Sequence, residues 1–300
     1  MAGSTGFLGR ALVPALAAGG HQVVRLLRPG SPTNPSEEVR RWDPDAGTIE
    51  ELGPVEAAIN LSGAGIGDRR WTERYKVTLS NSRIRPARLL TQTLAAATPR
   101  PKIYLSQSAV GYYGDRGNDF ITEDTPPGYD FLAGICTEWE EAARPAAEAG
   151  MRLVWMRTAS VVGAGGGILK PMLLPYRLGL GGRMGKGTQF WSWIALADWV
   201  GAVVHLLESD QQGAVNLASP NPVTQLAFAR ELGKALRRPT RLPTPMPVVK
   251  WMRGSELVNA LVSTSQRVLP PRLLASGYSF RYPELASALA VAVASGRTAG

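Results

Sequence analysis

A chain of 300 residues, 44% hydrophobic and 19% charged, is long enough for one large domain with an appendage and has the balance of a water-soluble globular protein. It has no run of 18 apolar residues and no basic leader with an apolar core, so no membrane partner is expected and a cytoplasmic location is the default. The Arg residues behind the net charge of +9 are spread from Arg10 to Arg297 with no basic run longer than two, which argues against nucleic acid, and Cys136 with the distant His21 and His205 offers neither a disulfide nor a metal site.

The chain opens on Gly3-Ser4-Thr5-Gly6-Phe7-Leu8-Gly9, followed by Leu8, Leu12, Ala15 and Leu16 at helical spacing. This pattern predicts a tight turn opening a helix, where glycines without a Cβ let backbone N–H groups approach a pyrophosphate. Gly3 to Gly9 is therefore a candidate cofactor cradle. Such a turn should follow a buried strand of about five or six residues, and only Met1 and Ala2 precede it. The expectation is a first strand cut short at the N-terminus, or one parted from upstream sequence.

Gly19-Gly20 ends the helix, and His21 to Leu27 reads as a strand. Arg28 stands at its end, where an Arg pairs with the 2′-phosphate of NADP(H) and an acidic residue would accept from a free 2′-hydroxyl. No Asp or Glu lies between Gly9 and Glu37, which favours NADP(H). Strands are expected at Val39 to Trp42 and at Ala57 to Leu61, the second running into Ser62 and Gly63. Leu61, Ser62 and Gly63 join the cofactor candidates, because a strand ending in small residues suits a ligand over its carboxyl edge.

A helix is expected from Thr72 to Ala97, bent near Pro86, then a strand from Ile103 to Ser106 running into Gln107 to Asp115. A helix over Phe131 to Ala149 and a strand over Leu153 to Arg157 complete an alternation that calls for a parallel sheet with helices on both faces. The stretch 163–187, dense in Gly, Pro and Leu, reads as a mobile lobe. Helices at 196–208 and 224–236, a strand at 214–217 and a Pro-rich connection at 239–247 follow. The division expected is a nucleotide-binding domain over 1–162, its sheet completed by 188–220, a substrate lobe from 163–187 and 221–292, and a disordered tail over 293–300.

The sequence resembles the extended short-chain dehydrogenase/reductase superfamily, and within it the sugar-nucleotide epimerase-like family of epimerase family proteins. The resemblance rests on GSTGFLG (3–9), NLSGAGIGDRRW (60–71), SQSAVGYYGD (106–115), TEDTPP (122–127), LLPYRLGLGGRMG (173–185) and QRVLPPRLL (266–274), in family order. It implies a Rossmann-type doubly wound parallel sheet, bound NADP(H), a small C-terminal substrate lobe and a small-molecule substrate. A homodimer, and in relatives an upstream fused domain, are the further partners it suggests.

In that superfamily a Tyr and a Lys four residues later carry the proton transfer. No Tyr-x-x-x-Lys occurs in this chain; Leu132 and Cys136 stand at the matching positions. Relatives commonly show His and Asp where this chain has Ala195 and Ala197, next to Asp198. Ser108, matching the superfamily's catalytic serine, and its neighbours Tyr112 and Tyr113 remain as candidate catalytic groups, against a structural role of capping and packing. Glu123 and Asp124 read as an exposed loop pair or an alternative acid, and Arg177 and Arg183 as a clamp for a diphosphate or as solvated surface. Two functions stand open: an NADP(H)-dependent oxidoreductase or epimerase-like enzyme with an atypical active site, and a catalytically silent NADP(H)-sensing interaction protein linked to cell division, a label some relatives bear.

Overall fold

A computed structural model describes residues 1–298 of the chain. Helix α1 (Phe7–Ala18) leaves the glycine turn directly, and strands β1 (Arg25–Leu27), β2 (Val39–Asp43), β3 (Thr48–Ile49) and β4 (Ala57–Asn60) follow. The long helix α2 (Glu73–Ala96) starts where the Thr72 hydroxyl accepts from the Tyr75 N–H. Strands β5 (Ile103–Ala109) and β6 (Phe120–Ile121) precede α3 (Phe131–Ala143), capped by Asp130, and α4 (Pro145–Glu148). The single helix expected over 131–149 divides here, because Pro145 has no N–H to continue the ladder.

After β7 (Arg152–Thr158) and β8 (Ser160–Val162) the chain builds α5 (Lys170–Arg177), β9 (Phe190–Trp191), β10 (Trp193–Ala195) and α6 (Leu196–Glu208). It then returns through β11 (Gly213–Leu217) and β12 (Val223–Thr224) to α7 (Gln225–Leu236). Helices α8 (Met246–Arg253) and α9 (Ser255–Val258), strand β13 (Arg267–Val268) and helices α10 (Pro271–Ala275) and α11 (Leu285–Thr298) end it.

The main sheet is parallel. Its order is β2-β1, then Met1 and Ala2, then β4-β5-β7-β11, with β3 added antiparallel on β2. Ala2 occupies the central position: its N–H donates to Ile59 O at 2.8 Å and its carbonyl accepts from Leu61 N, while Met1 O accepts from Leu26 N. The expected short first strand thus takes the form of two residues that join both halves of the sheet. Strand β1 is three residues rather than the expected seven, since its pairing with β2 covers Arg25 to Leu27 alone.

Successive residues of each strand face opposite layers. Ile59, Leu105, Val154 and Val215 pack under Leu12 and Leu16 of α1 and Trp199, Val203 and Leu206 of α6. Ala58, Tyr104 and Leu153 face Leu90 and Leu94 of α2 and Ala143 and Ala146. This two-sided burial is the doubly wound arrangement.

A second core forms the lobe, where Leu169, Met172 and Tyr176 meet Trp191, Trp193, Phe228, Leu232 and Leu289. The stretch expected as a mobile lobe is therefore folded around α5, whose apolar residues lie between the glycines and prolines that dominate its composition. The tail expected over 293–300 is helical through Thr298, because the Ala-rich run carries Leu285, Leu289 and Val293 onto the lobe core; residues 299–300 lie outside the described residues.

Candidate functional site

The three glycines of the opening turn have three different environments. Gly3 has φ +74°, and a Cβ there would lie 2.6 Å from Leu61 C. At Gly9 a Cβ would meet Gly3 O at 2.3 Å, so any side chain would push α1 away from the sheet. Gly6, the residue before the helix, meets nothing nearer than Gly3 O at 3.4 Å. Helix α1 has no side-chain cap and no acidic residue in its first turn, which leaves its N-terminal N–H groups and positive dipole end to an outside anion.

Ser4 is buried and its hydroxyl accepts from Arg25 Nε at 3.0 Å, while Thr5 is exposed. Arg25 in turn pairs with Glu37. Phe7 and Leu8 lie against the core under α1. The Phe7 ring also sits on Gly163, Gly166 and Gly167: a Cβ at Gly166 would lie 2.2 Å from it. Gly166 in particular makes room for this ring.

The neighbouring wall is Leu61, Ser62 and Gly63, which leave β4. Ser62 N donates to Asn60 Oδ1 at 3.1 Å. Behind the wall, Arg83 of α2 donates to Ala64 O at 2.8 Å, and the Tyr75 hydroxyl donates to Gly65 O at 2.6 Å, so the loop is tied down from below. Beyond β1, exposed Arg28 pairs with Asp45 at 3.2 Å, and Arg85 of α2 pairs with the other oxygen of the same carboxylate at 3.1 Å. One anion thus sits between two guanidinium groups. Sequence reasoning found Arg28 but missed Asp45 and Arg85, which only the fold brings to it.

Beneath the carboxyl ends of β5, β7 and β11 lies a buried polar network. Arg157 donates to both oxygens of Glu140, each at 2.8 Å, and to the Tyr113 hydroxyl at 3.1 Å. The Tyr113 hydroxyl donates to Asn216 Oδ1 at 2.6 Å, and Ser108 Oγ donates to Glu140 Oε1 at 2.7 Å. The guanidinium lies 3.5 Å from the Tyr112 ring centre. Burial opposes the charge of Arg157, but Glu140 more than offsets it and holds its pKa above the ordinary value.

This network corrects several expectations. Ser108 is fully buried and committed to Glu140, so it presents no hydroxyl to a substrate. Tyr113 is fully buried, and burial raises its pKa above the ordinary 10.0, against the lowering effect of Arg157. Tyr112 keeps partial exposure. Glu123 is no exposed loop carboxylate: its Oε1 accepts from Asn216 N at 3.0 Å, because the β6–β13 pair draws it inward. Its Oε2 is buried without a hydrogen-bond partner among the described residues, and burial raises its pKa above 4.5. Asp124 stays exposed and pairs with Arg272.

Leu132 and Cys136 present an apolar face to Gly111, whose Cβ would lie 3.4 Å from Leu132 Cβ and 3.8 Å from Cys136 Sγ. Burial pushes the Cys136 thiol up to about 12, with Glu140 adding to the shift, which leaves it without nucleophilic character at neutral pH. Asp198 is buried and accepts from Arg281 N and Tyr282 N, fastening the segment before α11. Arg177 and Arg183 are exposed on the lobe. Among the described residues no cluster of His, Cys, Asp and Glu is suited to a metal ion.

The profile of the NAD dependent epimerase/dehydratase family matches residues 1–218. The chain belongs to this family. A domain of unknown function (DUF1731) matches residues 244–292. Epimerase family protein MT2273 of Mycobacterium tuberculosis is 38% identical over 97% of this chain and 96% of its own length. The crystal structure of human epimerase family protein SDR39U1 with NADPH aligns at a TM-score of 0.89 and 35% identity over 98% of each chain. A nucleoside-diphosphate sugar epimerase from Corynebacterium glutamicum aligns at 0.77 and 30% identity, over 97% of this chain but 57% of that longer one. The epimerase family assignment, with the parallel sheet, makes this an extended short-chain dehydrogenase/reductase fold.

Removing Glu140 would leave Arg157 buried and unpaired. We expect Glu140→Ala to lower the unfolding free energy by about 3–5 kcal/mol and Ser108→Ala by about 1 kcal/mol, measured by urea denaturation. For Glu123, the folded state holds a proton more tightly than the unfolded chain does. Its contribution to stability therefore falls as pH rises above 4.5 through the folded-state value. Urea titrations at stepped pH should show that Glu123→Gln removes this decline.

Proposed function

We propose that the protein binds NADP(H) at the opening turn and passes a hydride between that cofactor and a small carbonyl or sugar-nucleotide substrate. The observation that carries this reading is the fit of the turn. Gly3 and Gly9 are closed to any side chain, while Gly6 opens outward at the head of α1, where a pyrophosphate would meet backbone donors and the helix dipole. Leu61, Ser62 and Gly63 would flank the cofactor, and the NADPH of the human relative supports the choice.

Arg28 and Arg85 would hold the 2′-phosphate in the place that the Asp45 carboxylate takes between them. NADPH should then bind at least about tenfold tighter than NADH, roughly 1.4 kcal/mol. Arg28→Ala should erase the preference, and Asp45→Asn should strengthen NADPH binding alone. Equal affinity of the parent for both cofactors, read by fluorescence titration, would sink the assignment.

Bound nicotinamide supplies or accepts the hydride. Tyr112, which alone among Ser108, Tyr112 and Tyr113 keeps open surface, would give a proton to the carbonyl oxygen as a hydride arrives and take it from the hydroxyl as a hydride leaves; the other two would position it through Glu140 and Arg157. A second reading, a catalytically silent NADP(H) sensor, is favoured by the apolar Leu132–Cys136 face where a Tyr–Lys pair would stand. NADPH oxidation across a panel of carbonyls and sugar nucleotides separates the two. The enzyme reading expects turnover that Tyr112→Phe lowers by about a hundredfold or more with NADPH affinity unchanged; the sensor reading expects binding and no turnover.

A further inference from the structure

The positive charge of the protein is concentrated on its lobe. Segments 163–187 and 237–254 contain nine basic residues and no Asp or Glu, which leaves 24 basic and 24 acidic residues for the rest of the chain. Eight of the nine are exposed, Lys250 is half-buried, and none has an ion-pair partner among the described residues. The two segments form one surface: Arg238 Nε donates to Arg177 O at 2.9 Å, and Thr244 N donates to Arg183 O at 2.9 Å.

Large apolar side chains also stand exposed in the same two segments. Helix α8 buries none of its residues and points Val248, Trp251 and Met252 outward, with Trp251 78% exposed. Leu242, Leu178 and Leu180 are likewise exposed on the adjoining loops. Val248, Trp251 and Met252 stand at i, i+3 and i+4 of one helix and so form one apolar stripe, which is costly to leave in water without a partner.

We propose that this face of the lobe docks on the surface of an anionic phospholipid bilayer, with α8 lying in the interface and no segment crossing it. Among the described residues no helix is long and apolar enough to span a membrane, and surface docking requires none. The chemistry points to lipid because the two halves of the surface need different things at once. Unpaired Lys and Arg gain from anionic headgroups, while exposed Trp, Leu, Met and Val gain only from an adjacent hydrocarbon layer. A soluble polyanion would satisfy the first and leave the second in water.

The test is sedimentation of the full chain with phosphatidylcholine vesicles, with and without phosphatidylglycerol. The protein should pellet with the anionic vesicles and not with the neutral ones, and should be released as salt is raised toward about 1 M. The double variants Trp251→Ala/Met252→Ala and Lys250→Glu/Arg253→Glu should each weaken binding by about tenfold or more, with unchanged far-ultraviolet circular dichroism and melting temperature. Failure to pellet with anionic vesicles would overturn the proposal, as would undiminished binding of the Trp251/Met252 variant. Displacement by soluble poly-glutamate at a matched charge concentration would overturn it in favour of an acidic protein partner.

Discussion

A guanidinium with almost no exposed surface is tolerable only when its charge is paired and each of its nitrogens is hydrogen-bonded, and Arg157 meets that condition by drawing on distant parts of the chain. Glu140 comes from α3, Tyr112 and Tyr113 from the loop after β5, and Glu123 O from the end of β6. Asn216 of β11 joins through Tyr113. The pairing fixes the carboxyl ends of three neighbouring strands relative to one another and to the helix that covers them. Everything at the rim of the sheet, Tyr112 included, inherits its position from this buried charge.

The same arrangement explains why the groups at the centre of the site look unlike those of the wider superfamily. Its ionic groups are spent on internal contacts, and the side chains that α3 turns toward Gly111 are Leu132 and Cys136. A polar interior of this kind rigidifies what surrounds it when every member is satisfied. The unpartnered oxygen of Glu123 is the exception, and burial keeps that carboxyl closer to its neutral form.

Much of the fold was legible because it is written locally. The glycine turn, the helix starts near Thr72 and Thr224 and the alternation of strands and helices depend on residues a few positions apart. The missing Tyr–Lys pair was legible for the same reason. The Arg157 network was not: its hydrogen-bonded partners lie 17 to 103 residues apart in sequence, and nothing near Ser108 announces Glu140. Glu123 was misread because polarity alone suggests exposure, while its environment is set by a two-residue strand pairing. The folded character of 163–187 and of the segment after 293 was hidden by composition, since Gly, Pro and Ala mask the few large side chains that do the packing.

The contact of Phe7 with Gly163, Gly166 and Gly167 joins the head of α1 to the base of the lobe through steric volume alone. Position 7 and position 166 therefore share one quota of space: a ring at one demands a hydrogen at the other. Across homologous chains the two sites should vary as a pair, with a smaller residue at 7 licensing a side chain at 166. Gly166 is thus inherited together with the aromatic residue in the turn, and its lack of a side chain reflects that volume rather than a hinge.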